Sequence, residues 1–169
     1  MITGGQRSGK SEMAEEMALK LSDRPVYLAT ATVAPGDEEM ERRVEAHKAR
    51  RGEAWTSIEE PLRPSVHAEK LAGRTVLVDC LTLWATNLFF AHSDDEAEAF
   101  GAFGAELRAL MEVRDITLIL VTNEIGMGGI SPNALQRRFT DLQGRVNRLA
   151  ASVADEVYLM ISGISLKIK

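Results

Sequence analysis

Residues Gly4 to Ser11 read GGQRSGKS, a phosphate-binding loop of the form G-x-x-x-x-G-K-S. Few short stretches constrain a fold so tightly, because such a loop works only between a strand and a helix. Gly4 and Gly9 let the backbone turn so that successive N–H groups face phosphate oxygens. Gly5, Gln6, Arg7 and Ser8 complete the cradle between them. Lys10 is placed to reach the β- and γ-phosphates, and the Ser11 hydroxyl to ligate Mg²⁺. The helix that follows aims its positive end at the same anion. The flanks fit: Met1-Ile2-Thr3 is a short apolar lead, and Met13, Met17, Ala18 and Leu21 recur at helical spacing.

The rest of the chain alternates in the same sense. Pro25 to Ala31, Thr75 to Asp79, Ile116 to Thr122 and Glu156 to Ile161 are short apolar runs, as expected for strands buried on both faces. Helical patterns fall between them, at roughly 38–51, 81–91, 95–113 and 133–153. This order predicts an α/β fold of the P-loop NTPase-like type, a mostly parallel sheet flanked by helices. Ser162-Gly163 lies between two β-rich runs, which predicts a C-terminal antiparallel hairpin. Ala34-Pro35-Gly36-Asp37 and Glu60-Pro61-Leu62-Arg63-Pro64 read as loops. At 169 residues the length prior gives one domain spanning 1–169.

The formal net charge of −5 argues against a nucleic-acid or anionic-membrane surface, so phosphate binding is expected to be local. Cys80 is the one cysteine, which suits a reducing compartment. No apolar run approaches the roughly 18 residues that span a bilayer. The expectation is a cytoplasmic protein without a leader.

Ligands of open parallel sheets gather at the carboxyl ends of the strands. That places the loop, Thr30-Ala31-Thr32, Asp79 and Asn123 to Gly129 near one another. Asp79 closes an apolar run, the usual position of a Mg²⁺ partner in phosphate-loop enzymes, and that role is favoured over an N-cap for the next helix. Asn123 to Gly129 reads equally as a mobile substrate loop or a plain connection. The segment Asp37 to Glu53 is helical by propensity yet almost all charged, too poor in apolar residues for a broad buried stripe. Arg43, His47 and Arg51 fall at i, i+4 and i+8 on it. Neighbouring cations disfavour imidazolium, and neutral imidazole is the nucleophilic form. The arrangement suits attack on a nucleotide α-phosphate, with the cations holding phosphate oxygens. On composition alone, a solvated helix with an incidental histidine is the commoner reading. His67 and His92 read as surface or capping residues, Cys80 as a small core residue, and Trp55 and Trp84 as packing anchors.

Taken together, GGQRSGKS, YLATAT, RRVEAHKARR, WTSIEEP, VLVDCLTLWATNL, VTNEIGMG, QRRFTDLQGRVNR and SGISLKIK resemble one family along nearly the whole chain. It is the bifunctional adenosylcobinamide kinase / adenosylcobinamide-phosphate guanylyltransferase family of cobalamin biosynthesis. The loop is widely shared; A-H-K-x-x-R, N-E-x-G-M-G and the K-I-K tail are more specific. The resemblance implies phosphorylation of the aminopropanol hydroxyl of adenosylcobinamide with ATP or GTP. It then implies transfer of GMP from GTP through a guanylyl-histidine, giving adenosylcobinamide-GDP and pyrophosphate. It makes His47 the nucleophile, reversing the reading from composition. It implies guanine-nucleotide contacts at Gly4 to Ser11, at Thr30, Ala31 and Thr32, at Lys48, Ala49, Arg50 and Arg51, and at Glu59 and Asp79. It also implies a homotrimer.

Two departures stand out. The lead before Gly4 is shorter than in family members, and Ser131 replaces the usual apolar residue after Gly129-Ile130. A small-molecule kinase without the guanylyl step would use the same loop but would not need cations around His47. A guanine-nucleotide switch would want an N-K-x-D element, and Asn123-Glu124-Ile125-Gly126 lacks both the lysine and the aspartate.

Overall fold

The continuous apolar runs become strands covered on both faces. A computed structural model describes residues 1–33 and 36–169, and for Arg43 and Arg50 the backbone alone. The strands are β1 (Ile2–Gly4), β2 (Val26–Ala29), β3 (Thr56–Glu59), β4 (Thr75–Asp79), β5 (Thr117–Val121), β6 (Tyr158–Ile161) and β7 (Ile164–Lys167). The helices are α1 (Lys10–Leu21), α2 (Glu38–Arg50), α3 (Ala68–Leu71), α4 (Leu81–Ala91), α5 (Glu96–Met111) and α6 (Ala134–Val153). Single 3₁₀ turns cover Pro64–His67 and Ile125–Gly128. The sheet has seven strands in the order β3-β2-β4-β5-β1-β6-β7. Pairing is parallel everywhere except between β6 and β7.

The period-two geometry of a strand divides the core. Val76 and Val78 of β4 face α4, α5 and α6, and pack with Leu88, Phe103, Leu107, Val146 and Ala150. Leu77, between them, joins Ile2, Ala14, Ala18, Ile119 and Met160 on the α1 side. Trp84 is buried with its ring 4.8 Å from Phe103, and its indole N–H donates to the Leu62 carbonyl at 3.0 Å. It is a packing anchor, as its polar tip requires.

The predicted boundaries of β4 and α4 coincide with the observed ones, and the remaining predicted elements lie within two or three residues. β3 was not read from sequence. It is a mostly exposed edge strand, so it carries neither a continuous apolar run nor a clean alternation. The terminal hairpin forms, with positive φ at both Ser162 and Gly163, the conformation a two-residue turn of this hand needs. Of the predicted loop 34–37, Ala34 and Pro35 lie outside the described residues. Among the described residues no helix is long and apolar enough to cross a membrane.

β1 is three residues long, and pairs with β5 at Ile2 opposite Val121. β6 holds it on the other side at Ile2, Thr3 and Gly4. The hairpin also buttresses the phosphate loop, because the Gly163 N–H donates to the Ser8 carbonyl at 3.0 Å. Gly4 has φ 152°, and a Cβ there would sit 2.3 Å from the Met160 carbonyl oxygen. The clashing atom is backbone, which cannot swing away as a side chain would. Gly4→Ala is therefore expected to lower Tm by roughly 10 °C, measured by calorimetry, since clashes of this kind belong to the rare costs above about 3 kcal/mol.

Candidate functional site

The topology brings β1, β5, β4 and β2 side by side, with α1 crossing over three of them, so their carboxyl ends form one rim. Gly9, in the left-handed region with φ 94°, is the N-cap of α1, and its side-chain-free cap leaves the first N–H groups of the helix to an anion. Lys10 opens α1. It is 7 % exposed, and its ammonium donates to the Gly5 carbonyl at 2.6 Å. Burial, first, holds its pKa below the ordinary lysine value. The Ser8 hydroxyl is buried without a hydrogen-bond partner among the described residues. The loop therefore carries unsatisfied donors where phosphate oxygens would lie.

Asp79 is the hub of the rim. Its Oδ2 accepts from the Tyr27 hydroxyl at 2.8 Å and from the Ser11 hydroxyl at 3.3 Å, and stands 3.9 Å from His47 Nδ1. The N-cap of α4 is Cys80, and that cap has no side-chain hydrogen bond, so Asp79 does not act as the helix cap. Tyr27 is held protonated by burial and by the adjacent Asp79 carboxylate, which both raise its pKa. Burial likewise pushes the Cys80 thiol up to about 12, as fits an inert core cysteine.

α2 carries the second half of the site. Asp37 caps it by accepting from the Met40 N–H at 3.0 Å, and Glu38, Glu39 and Glu41 crowd the first turn, where the helix dipole favours acids. Among the helix residues whose side chains are described, only Met40, Val44 and His47 are less than exposed. At spacings of four and three they form one narrow inward stripe, and His47 is its last member. This explains how so polar a helix delivers an imidazole to the rim. Arg51 departs from the expected i+8 position on the helix face. Arg51 lies past the helix end with extended backbone, and its guanidinium carbon is 3.4 Å from the Tyr27 ring centroid. Its Nε and Nη1 are buried without hydrogen-bond partners among the described residues. The side chains of Arg43 and Arg50 lie outside the described residues.

The other predicted contacts divide. Lys48 Nζ is 3.1 Å from Glu59 Oε1, so these two residues pair across α2 and β3. Ala49 is exposed beside them, while Ala31 is half-buried and Thr32 exposed on the β2 side. The Thr32 hydroxyl meets Asn87 Oδ1 at 3.0 Å. Thr30 is fully buried; its hydroxyl donates to the Cys80 carbonyl at 2.8 Å and accepts from the Cys80 N–H at 3.0 Å. It ties the ends of β2 and β4 together. Asn87 Nδ2 donates to the Thr30 carbonyl at 2.7 Å and the Pro61 carbonyl at 3.1 Å, fixing the loops on either side.

Sequence reasoning did not identify the polar cluster beneath the Asn123 to Gly129 loop. Gln143 Nε2 donates to the Thr122 hydroxyl at 3.0 Å and to Asn147 Oδ1 at 2.8 Å. Asn147 Nδ2 donates to the Asn123 carbonyl and to Glu124 Oε1, each at 3.0 Å. The signal was present: Gln143 and Asn147 stand at i and i+4 within the buried stripe of Leu142, Val146 and Ala150. The loop is thus pinned at Asn123 and Glu124, while Met127 and Ile130 beyond it are 77 % and 90 % exposed. Ser131 turns its hydroxyl inward to accept from the Asn133 N–H at 3.2 Å, a local role in starting α6. His67 pairs with Glu60 at 3.8 Å and His92 with Glu98 at 3.3 Å.

Known proteins of the same construction exist. The family model described as cobinamide kinase / cobinamide phosphate guanyltransferase matches residues 1–168. The bifunctional adenosylcobalamin biosynthesis protein CobP of Pseudomonas aeruginosa is 40% identical over 171 residues, covering 100% of this chain and 96% of that protein. The protein of the same description, CobU, is 38% identical in Escherichia coli K12 and 37% identical in Salmonella typhimurium LT2, each covering 100% of this chain and 98% of the relative.

Proposed function

The chain belongs to the cobinamide kinase / cobinamide phosphate guanyltransferase family, and on that premise we propose that one nucleotide site on its sheet rim performs both reactions in turn. The reading is carried by a single observation: Asp79 Oδ2 lies within 4 Å of the Ser11 hydroxyl of the phosphate loop and of the His47 imidazole. The residue types for γ-phosphate transfer and for attack on an α-phosphate therefore share one carboxylate.

In the kinase reaction, ATP or GTP lies along Gly4 to Ser11. Lys10 and the loop amides offset the charge that spreads over the transferring phosphoryl group, which is most of what such a reaction asks of a protein. The aminopropanol hydroxyl of adenosylcobinamide is the acceptor. Ser11 and Asp79 fit Mg²⁺, being a hydroxyl and a carboxylate 3.3 Å apart beside the loop. Such an ion takes only one or two protein oxygens and completes its shell with phosphate and water, and it would neutralise phosphate charge.

In the second reaction, His47 attacks the α-phosphorus of GTP. A nitrogen–phosphorus bond forms, the bond to the bridging oxygen breaks, and pyrophosphate leaves. The phosphate of adenosylcobinamide phosphate then takes the GMP from His47. Asp79 lies 3.9 Å from Nδ1, where it can orient the ring, and Nε2 is the nitrogen assigned to the attack. The unpartnered N–H groups of Arg51 supply donors for α-phosphate or leaving-group oxygens. Lys48, Glu59, Thr32 and Ala31 would receive the remainder of the guanine nucleotide.

The exposed apolar side chains of the last hairpin, Ile161, Ile164, Leu166 and Ile168, support contact between copies, in a homotrimer by resemblance. A buried free Cys80 is in keeping with a reducing, cytoplasmic setting. The test is incubation with GTP radiolabelled at the α-phosphate and Mg²⁺, followed by denaturation and peptide mapping. Acid-labile, base-stable label on the peptide holding His47 is the expected result. Protein that binds GTP yet takes no label would leave a kinase without the guanylyl step.

A further inference from the structure

The kinase reaction leaves one proton without a destination: that of the acceptor hydroxyl. We infer that Glu124 receives it, an inference that rests on the kinase reading above. Four carboxylates stand near the rim among the residues already described, and three are committed. Asp79 serves Ser11, Tyr27 and His47. Glu59 pairs with Lys48. Glu60 accepts the N–H groups of Leu62 and Arg63.

Glu124 differs in how it is held. It lies just past β5, between the strand that ends in Asp79 and the strand that opens the phosphate loop. Its own N–H donates to the Gly4 carbonyl at 3.1 Å, which ties it to the first residue of the loop. The Thr3 hydroxyl, at 2.7 Å, and Asn147 Nδ2, at 3.0 Å, both donate to Oε1. Oε2 takes neither of these bonds. Two donors on one oxygen fix the carboxylate and leave the other oxygen able to accept a proton.

The support beneath it is costly. Gln143, Asn147 and Thr122 are buried polar groups joined in one network, and Gln143 Oε1 has no hydrogen-bond partner among the described residues. Apolar residues there would serve stability as well or better. The network is accounted for if its role is to hold Glu124 in one orientation. Beyond Glu124 the exposed Met127 and Ile130 present apolar surface to a large substrate that carries its hydroxyl on a short arm.

The step balances. The acceptor oxygen forms a bond to the γ-phosphorus as the bond from that phosphorus to the β,γ-bridging oxygen breaks. The hydroxyl proton passes to Glu124 Oε2, and the nucleoside diphosphate leaves. A positioned base of this kind is worth about 10²–10⁴ in rate.

Two variants separate this role from a structural one. Glu124→Gln keeps an oxygen to accept from Thr3 and Asn147 but cannot take the proton. Glu124→Asp keeps the carboxylate but shortens its reach to those donors. We expect Glu124→Gln to lose about 100-fold in kinase kcat on adenosylcobinamide, with KM for the nucleotide and α-labelling of His47 unchanged, and Glu124→Asp to lose less. The proposal is overturned if Glu124→Gln stays within about three-fold of the parent, or if Glu124→Asp is the worse of the two. It is also overturned if kinase activity and His47 labelling fall together in Glu124→Gln. A parent protein that transfers no γ-phosphate removes the kinase reading itself, and the proposal with it; an active parent with an active Glu124→Gln removes only the proposal.

Discussion

His47→Ala is expected to abolish GMP transfer while phosphorylation of the alcohol stays within a few-fold of the parent. The loss should exceed about 10⁴-fold, because no second histidine can substitute. His67, in the 3₁₀ turn Pro64–His67, and His92, at the C-terminal end of α4, are each paired with a glutamate. Covalent catalysis splits the transfer into two steps, and without the nucleophile neither exists. The kinase reaction should survive because Lys10, Ser11 and the loop backbone sit on β1 and α1, not on α2. The stability cost should be small: His47 is about one-third exposed, and its Asp79 contact is a 3.9 Å approach. Absence of α-label, together with intact transfer of γ-phosphate from the same nucleotide, is the measurement. Parallel loss of both activities would mean that α2 serves both reactions through its fold.

Lys10→Met is expected to remove both reactions and to cost no stability. In the folded chain the ammonium is buried against Gly5, and burial lowers its pKa. A lysine whose folded pKa lies below its unfolded value is bound less tightly by protons when folded. Its burial therefore opposes folding at neutral pH, and this penalty fades only as pH rises from the folded pKa towards 10.5. Methionine fills the same space without the charge, so Tm should hold or rise. What should vanish is the gain on adding GTP. At about 100 times Kd, a ligand contributes about 2.7 kcal/mol, or roughly 5–10 °C for a chain of this length. Calorimetry with and without GTP reads both effects. A Tm several degrees below the parent without nucleotide would show that Lys10 contributes to the fold.

Much of the architecture was legible because it repeats simple periods. The buried parallel strands β4 and β5 are built on the short apolar runs 76–78 and 118–121, and α1 and α6 bury residues at helical spacing. β3 escaped because an exposed edge strand has no such period. The loop and Asp79 were visible as local chemistry, one a fixed motif and the other an acid closing an apolar strand. Tyr27 was hidden inside an apolar run, where it reads as core. It is core, with a hydroxyl that reaches Asp79.

The sequence by itself determined the phosphate loop, the αβ alternation around it, the turn of the last hairpin and, through motifs in fixed order, the family. All of these depend on residues close together in the chain. Only the tertiary structure decided that His47 meets Asp79 across 32 positions of sequence, that Arg51 stacks on Tyr27 from beyond its helix, and that Thr30 serves the joint between β2 and β4. Only the tertiary structure could decide that the C-terminal hairpin braces Gly4 and Ser8, or that Asn147 holds Glu124 beside them. The physical reason is strand order: β4, β5, β1 and β6 are neighbours in the sheet but distant in the chain. Long-range pairing is set by the summed burial of both faces, which no local pattern encodes.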